Sequence, residues 1–204
     1  MKKTISIIFI IVILDQILKI WIKLNMSIGQ EFSIIDNWFI IHFTENNGMA
    51  FGMELDLFGL KSGKLILSVF RIIAICGIAW FLYDLKKKNA PSSLLISIGM
   101  IMAGAMGNII DSVFYGKIFS DSFHNIAEFM PKNGGYSDFL HGKVVDMFYF
   151  PILKGSFPSW IPFWGNENFI FFRPVFNIAD SAITLGVLNI LIFQNKFFKK
   201  NQEL

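Results

Sequence analysis

The chain has 204 residues, of which 54% are hydrophobic and only 16% charged, with a formal net charge of +3. A soluble domain carries roughly a quarter charged residues, so this composition reads as a single membrane unit and excludes an ordinary soluble enzyme. The lysines cluster at the ends of apolar runs and form no stripe, which excludes a nucleic-acid partner; the single Cys76, expected as a packing residue, excludes an internal disulfide or a multi-cysteine metal site.

Four apolar runs approach spanning length. The first covers residues 5–24 and is interrupted by Asp15, Lys19 and Lys23. Two lysines before a short apolar stretch resemble a signal peptide. No small-x-small cleavage site follows, so a retained helix is expected. Residues 32–43 are rich in β-branched and aromatic side chains around Asp36-Asn37, which predicts two short strands on a half-buried platform. The second run covers residues 65–82 and carries Arg71; the third covers residues 94–113 behind Pro91-Ser92-Ser93, read as a helix start with a capping serine.

Residues 116–143 are the most polar stretch, expected as a long external loop with one short helix over residues 123–130. An apolar run from Val144 to Ile152 follows and is read as dipping back toward the bilayer. Residues 151–174 hold four prolines, Trp160, Trp164 and a Phe cluster suited to a membrane–water interface. The fourth spanning run covers residues 175–193. Lysine clusters at 2–3, 86–88 and 196–200 predict both termini on the cytoplasmic side, with residues 25–63 and 116–174 outside. The expected fold is therefore a single all-α, four-transmembrane-helix bundle with a small external β platform and a long external loop.

Carboxylates inside membrane segments are costly and usually functional. Helix orientation brings Asn108, Asp111, Asn177 and Asp180 to the outer ends of the third and fourth runs, and Asp146 lies between them in sequence. Asn108/Asp111 and Asn177/Asp180 are both i, i+3 pairs, expected to share a helix face. Two close carboxylates cannot both ionise easily, so one keeps a proton while the other serves as base, an arrangement that activates water. Asp15 and Lys19 stand i, i+4 and are expected as a structural ion pair. His42, His124 and His141 lack metal-site spacing, and Ser181 has no candidate base. A transporter relay through Asp15, Lys19, Arg71, Asp111 and Asp180 is the competing class; it ranks lower because most ionisable residues gather at the outer end.

Five segments stand in order along the chain: Asp15-Gln16-x-x-Lys19, Asn46-Asn47-Gly48-Met49-Ala50-Phe51-Gly52, Gly104-Ala105-x-Gly107-Asn108-x-x-Asp111, Val144-Val145-Asp146 and Phe176-Asn177-x-Ala179-Asp180-Ser181. Together they resemble the bacterial lipoprotein signal peptidase (signal peptidase II) family. An inactive relative that binds lipidated peptides is a third reading, against which the intact aspartate pair argues. The resemblance implies that Asp146 and Asp180 form a catalytic pair, with Asp15, Lys19, Asn46, Gly48, Asn108, Asp111, Asn177 and Ala179 supporting or lining the site. It implies a diacylglyceryl prolipoprotein substrate cut on the amino side of its lipidated cysteine, in the bacterial inner membrane. Membrane lipid is the other implied partner. No metal or cofactor is expected, and nothing demands a partner protein, so a monomer is expected. Two departures stand out: Ser112 occupies a position where the family usually has arginine, with Lys117 and Lys143 as candidates to replace that cation, and the 116–143 stretch is longer than usual and is expected to form an external lid or a lineage-specific loop.

Overall fold

The computed structural model describes residues 1–47, 60–151, 153–160, 162–163, 165–171 and 174–198. Three helices are long and apolar enough to cross a membrane. They are α1 (Lys2–Asn25), α2 (Leu60–Lys87) and α3 (Ser92–Ile110), the last continuing as a π-helical turn (Asp111–Tyr115) and a short α4 (Gly116–Ile118). The fourth apolar run divides. Val175–Phe176 is a strand, β6, and α5 (Ile178–Ile192) has 15 residues, about 22 Å at 1.5 Å per residue and short of a hydrocarbon core of about 30 Å. Only Phe193 separates α5 from α6 (Gln194–Phe198), which prolongs it.

Helix α1 is apolar outside and largely polar inside. On α1, Phe9, Ile10, Ile13, Leu14, Ile17 and Trp21 are exposed, while Thr4, Asp15, Lys19 and Lys23 are buried. Water would drive the opposite arrangement; this one suits a lipid surround with polar groups turned into the bundle. Cys76 lies on the exposed face of α2 rather than in the packing expected of it. Helix α3 starts from Pro91 with no side-chain cap, so neither Ser92 nor Ser93 plays the expected capping part. It packs against α1, α2 and α5 and is the centre of the bundle.

Small residues let α3 approach so closely. A Cβ on Gly107 would sit 2.6 Å from Asp15 Oδ2, and one on Gly104 would collide with the backbone carbonyl of Ala179. Helix association without a hydrophobic drive depends on such contact. Gly104→Ala should therefore lower the thermal unfolding midpoint in detergent, by the equivalent of about 1–3 kcal/mol for overpacking. Gly77→Ala, with nothing within 4 Å of the new methyl, should leave it unchanged or raise it.

A four-stranded antiparallel sheet lies at one end of the bundle, in the order β1-β2-β3-β6, with β1 at Glu31–Ile35, β2 at Phe39–Asn46 and β3 at Val144–Tyr149. The two strands expected within residues 32–43 are β1 and β2. The run after Val144, expected to turn toward the bilayer, is instead the sheet's inner strand β3. A separate pair joins β4 (Leu153–Ser156) to β5 (Asn168–Phe171). Along β3 side chains alternate: Val145 and Met147 enter a core with Ile22, Met26, Phe43, Tyr115 and Phe119, leaving Asp146 directed the other way. A bulge in β2 between Ile41 and Thr44 sets Thr44 opposite Asp146.

No helix covers residues 123–130; that segment is bends and a bridge between Phe119 and Phe129. Its polar, Gly- and Asn-containing neighbourhood favours local turns: Phe123 N donates to Asp121 Oδ1, and Glu128 exchanges hydrogen bonds with Ser120. Ala127 N donates to Lys23 O of α1, and the adjoining Ser122 O accepts from Ile28 N. The stretch expected as a lid is thus built into the core through Phe119 and Ala127. Lys23, wholly buried, ties it down by donating to Glu45 Oε1 at 2.6 Å and Ser122 Oγ at 2.7 Å beneath the ring of Tyr136. Lys23→Met leaves the buried Glu45 carboxylate with only the more distant Lys143, at 3.8 Å, and should cost about 3 kcal/mol. Limited proteolysis should then cut within residues 116–143 far faster than in the parent protein.

Candidate active site

The end of β6 decides where the site forms. Because Phe176 pairs with Phe148, the next residue, Asn177, emerges beside Asp146 on the neighbouring strand. Asn177 caps α5: its side chain accepts from Asp180 N at 2.9 Å, and its own N–H donates to Asp180 Oδ2 at 3.3 Å. This reciprocal capping box is the actual basis of the Asn177/Asp180 spacing. The two residues straddle a helix start and do not share a helix face as expected.

The capping asparagine then reaches the second carboxylate. Asn177 Nδ2 donates to Asp146 Oδ1 at 2.7 Å and lies 3.1 Å from both Val145 O and Asn108 Oδ1. From α3, Asn108 Nδ2 donates to Asp180 Oδ1 at 2.8 Å. Asn46, at the end of β2, donates to Asp146 Oδ2. Asp146 and Asp180 are therefore held by three amide side chains from three elements. Asp146 is 2% exposed and Asp180 is half-buried. Burial, reinforced by the negative charge of Asp180, pushes the Asp146 carboxyl up to about 8.

A second layer fixes the first. Lys19 Nζ bonds Asp15 Oδ2 at 2.9 Å, Asp111 Oδ2 at 2.8 Å and Asn108 Oδ1 at 2.9 Å, so all its protons are used. The expected Asp15–Lys19 pair is present, but as part of a triad with Asp111. Asp15 Oδ1 accepts from Ala179 N at 2.9 Å, at the positive end of α5. Asp111 Oδ2 accepts from Val145 N at 3.2 Å. Each supporting carboxylate thus grips the backbone next to one member of the central pair. Gly48 lies outside the described residues.

Sequence reasoning undervalued Gln16, whose amide bonds Asp111 Oδ1 at 2.9 Å and Gly107 O at 3.1 Å and receives the Tyr115 hydroxyl. Its signal was a polar residue beside Asp15 in an apolar run. The π-helical turn starts at Asp111, and such turns often mark functional positions. Lys117 and Lys143, expected to stand in for the missing arginine, face other partners: Lys117 meets Asp138 at 3.3 Å and Lys143 approaches Glu45 at 3.8 Å. The cation beside Ser112 is Lys64, 3.4 Å from its Oγ. That serine–lysine contact is no nucleophile, because Ser112 is fully buried and its hydroxyl donates to Asn108 O. Ser181 likewise donates to Asn177 O. A cavity of about 430 Å³ around Tyr136 and Asp138 shares no residue with the site.

Residues 7–196 match the family model described as Signal peptidase (SPase) II. The chain belongs to the signal peptidase II family. As a member it is an aspartic peptidase, not a transporter. It is 48% identical over 192 residues to a lipoprotein signal peptidase of Porphyromonas gingivalis, covering 94% of this chain and 82% of that one. A lipoprotein signal peptidase of Amoebophilus asiaticus is 38% identical, with 89% and 72% covered. A bacterial membrane enzyme solved by the in meso method matches over 100% of this chain and 95% of its own, at 26% identity and a TM-score of 0.62. A second such structure matches with a TM-score of 0.61 and 28% identity.

Proposed function

We propose that this signal peptidase II family member removes the signal peptide from diacylglyceryl-modified prolipoproteins, cutting on the amino side of the lipidated cysteine with a water activated between Asp146 and Asp180. The observation that carries the reading is the bridging of the two carboxylates by Asn177 and Asn108. Asp146 holds the shared proton in the free enzyme, as its elevated pKa supports. One aspartate accepts a proton as the water oxygen bonds to the scissile carbonyl carbon. The carboxylic acid partner hydrogen-bonds the carbonyl oxygen. On collapse the C–N bond breaks and the departing nitrogen takes a proton, releasing a carboxylic acid and the lipidated cysteine amine. The pair titrates as a unit, so the roles belong to both together.

In the bacterial inner membrane, α1, α2, α3 and the α5–α6 segment make four crossings with both termini cytoplasmic. The sheet and residues 116–143 then lie at the outer surface, where a monomer receives lipid-anchored substrate laterally. The test is cleavage in detergent of a diacylglyceryl prolipopeptide against its unlipidated twin. Release of a signal peptide from the lipidated form alone supports the reading; equal cleavage of both removes the lipid requirement, and no cleavage of either removes the function.

The pH dependence follows from Asp146. Its proton is lost above about pH 8, so kcat/KM should fall about tenfold per pH unit on that side. Stability runs the same way: the folded carboxyl binds its proton more tightly than the unfolded one, so folding loses stability as pH rises from about 4 toward 8. A rate flat to pH 10 would contradict the assignment.

A further inference from the structure

The site holds more negative charge than its described hydrogen-bonded cation balances. Asp15, Asp111 and Asp146 are at most 2% exposed and converge with Asp180, while Lys19 is the one ammonium hydrogen-bonded among them within the described residues. With Asp146 protonated, three carboxylates share that ammonium, and uncompensated buried charge is strongly unfavourable. The remaining positive charge comes from α2. Lys64, Ser68 and Arg71 stand at i, i+4 and i+7 and share one face. Ser68 fixes that face by donating to Leu140 O at 2.7 Å, and Lys64 donates to Asn47 O at 2.8 Å, next to the asparagine that holds Asp146. Arg71 interacts electrostatically with Asp180, then Asp111, then Asp146; Lys64 feels the repulsion of Arg71 first and then the attraction of Asp111. Lys19, Lys64 and Arg71 together carry three positive charges against three ionised carboxylates.

We propose that Arg71, on the same face of α2 as Lys64, is a positioning residue of the active site whose guanidinium is the counter-charge to Asp180, Asp111 and Asp146. This rests on the peptidase reading above and deepens it. Lys64 occupies the space beside the Ser112 hydroxyl, so the cation that the family resemblance places at position 112 is delivered here from α2. The groups facing Asp146 are Asp180 from α5, Lys19 from α1, Asp111 from α3, Arg71 from α2, and the neutral Asn46 and Asn177.

The test compares full-length Arg71→Gln and Arg71→Lys in detergent micelles with two readouts. The first is the titration of the Asp146 carboxyl by carbon-13 NMR, its signal assigned by its loss in Asp146→Asn. Arg71→Gln should move that titration upward by about one pH unit, while Arg71→Lys leaves it near the parent value. The second is cleavage of a diacylglyceryl prolipopeptide. Arg71→Gln should lose at least about tenfold in kcat with KM within about threefold, and Arg71→Lys should recover most of the rate. An unmoved Asp146 titration, a loss confined to KM, or a lysine variant no better than glutamine overturns the proposal. A parent enzyme that leaves the lipidated peptide uncut sinks the substrate reading alone, because the NMR titration still decides the role of Arg71.

Discussion

Asp146→Asn and Asp180→Asn should each reduce cleavage of a diacylglyceryl prolipopeptide below about a thousandth of the parent rate. In the proposed mechanism either change removes a group that gives or takes a proton, and no other described side chain bonded to the pair can replace it. Lys19 is saturated by Asp15, Asp111 and Asn108. Asn46, Asn108 and Asn177 are amides and do not titrate. The fold should survive, since an asparagine keeps the planar shape of the carboxylate, and at position 146 the Asn46 amide can rotate to present its oxygen to the new NH2. Because the two residues act as a unit, the double variant should be little worse than either single one. The measurement is single-turnover cleavage by purified protein that still shows a cooperative thermal transition. A variant retaining a tenth of the parent rate would take that aspartate out of the chemistry.

Lys19→Met should cost about 3–5 kcal/mol of stability, because it leaves Asp15 and Asp111 buried without their shared cation. The damage reaches both proposed catalytic residues by separate routes. Asp15 holds Ala179 N beside Asp180, and Asp111 holds Val145 N beside Asp146. Activity should therefore fall even in preparations that remain folded at low temperature. Lys19→Arg is not a conservative change, since a planar guanidinium cannot reproduce three bonds radiating from one nitrogen. Lys19→Met combined with Asp111→Asn should recover part of the loss by removing one stranded charge. Thermal unfolding in detergent decides it: a midpoint within a degree or two of the parent would show that the triad carries little stability.

The aspartates were readable from sequence because membrane segments punish every charge that lacks a purpose. Asp15, Lys19, Asn108, Asp111, Asn177 and Asp180 all interrupt apolar runs and meet in one network. The strands at residues 31–46 were legible from their β-branched and aromatic content. Residues 123–130 misled because local polarity resembles an amphipathic helix while the backbone there bonds to Lys23 of α1, to Ile118 of α4 and to Ser120. Val175 and Phe176 misled for a related reason: an apolar dipeptide joined to a helix reads as helix, and only pairing with β3 makes it a strand.

By itself the sequence determined the kind of solvent the chain lives in, its long helices, and which carboxylates are too costly to be idle. Hydropathy and charge act residue by residue along the chain, so they survive without coordinates. Only the tertiary structure decided the partners: the capping box that presents Asp180, the β3–β6 pairing that places Asp146 beside Asn177, and the face of α2 that carries Lys64 and Arg71 to the site. Those contacts join residues far apart in sequence, through directional hydrogen bonds and charge proximity that no local pattern encodes.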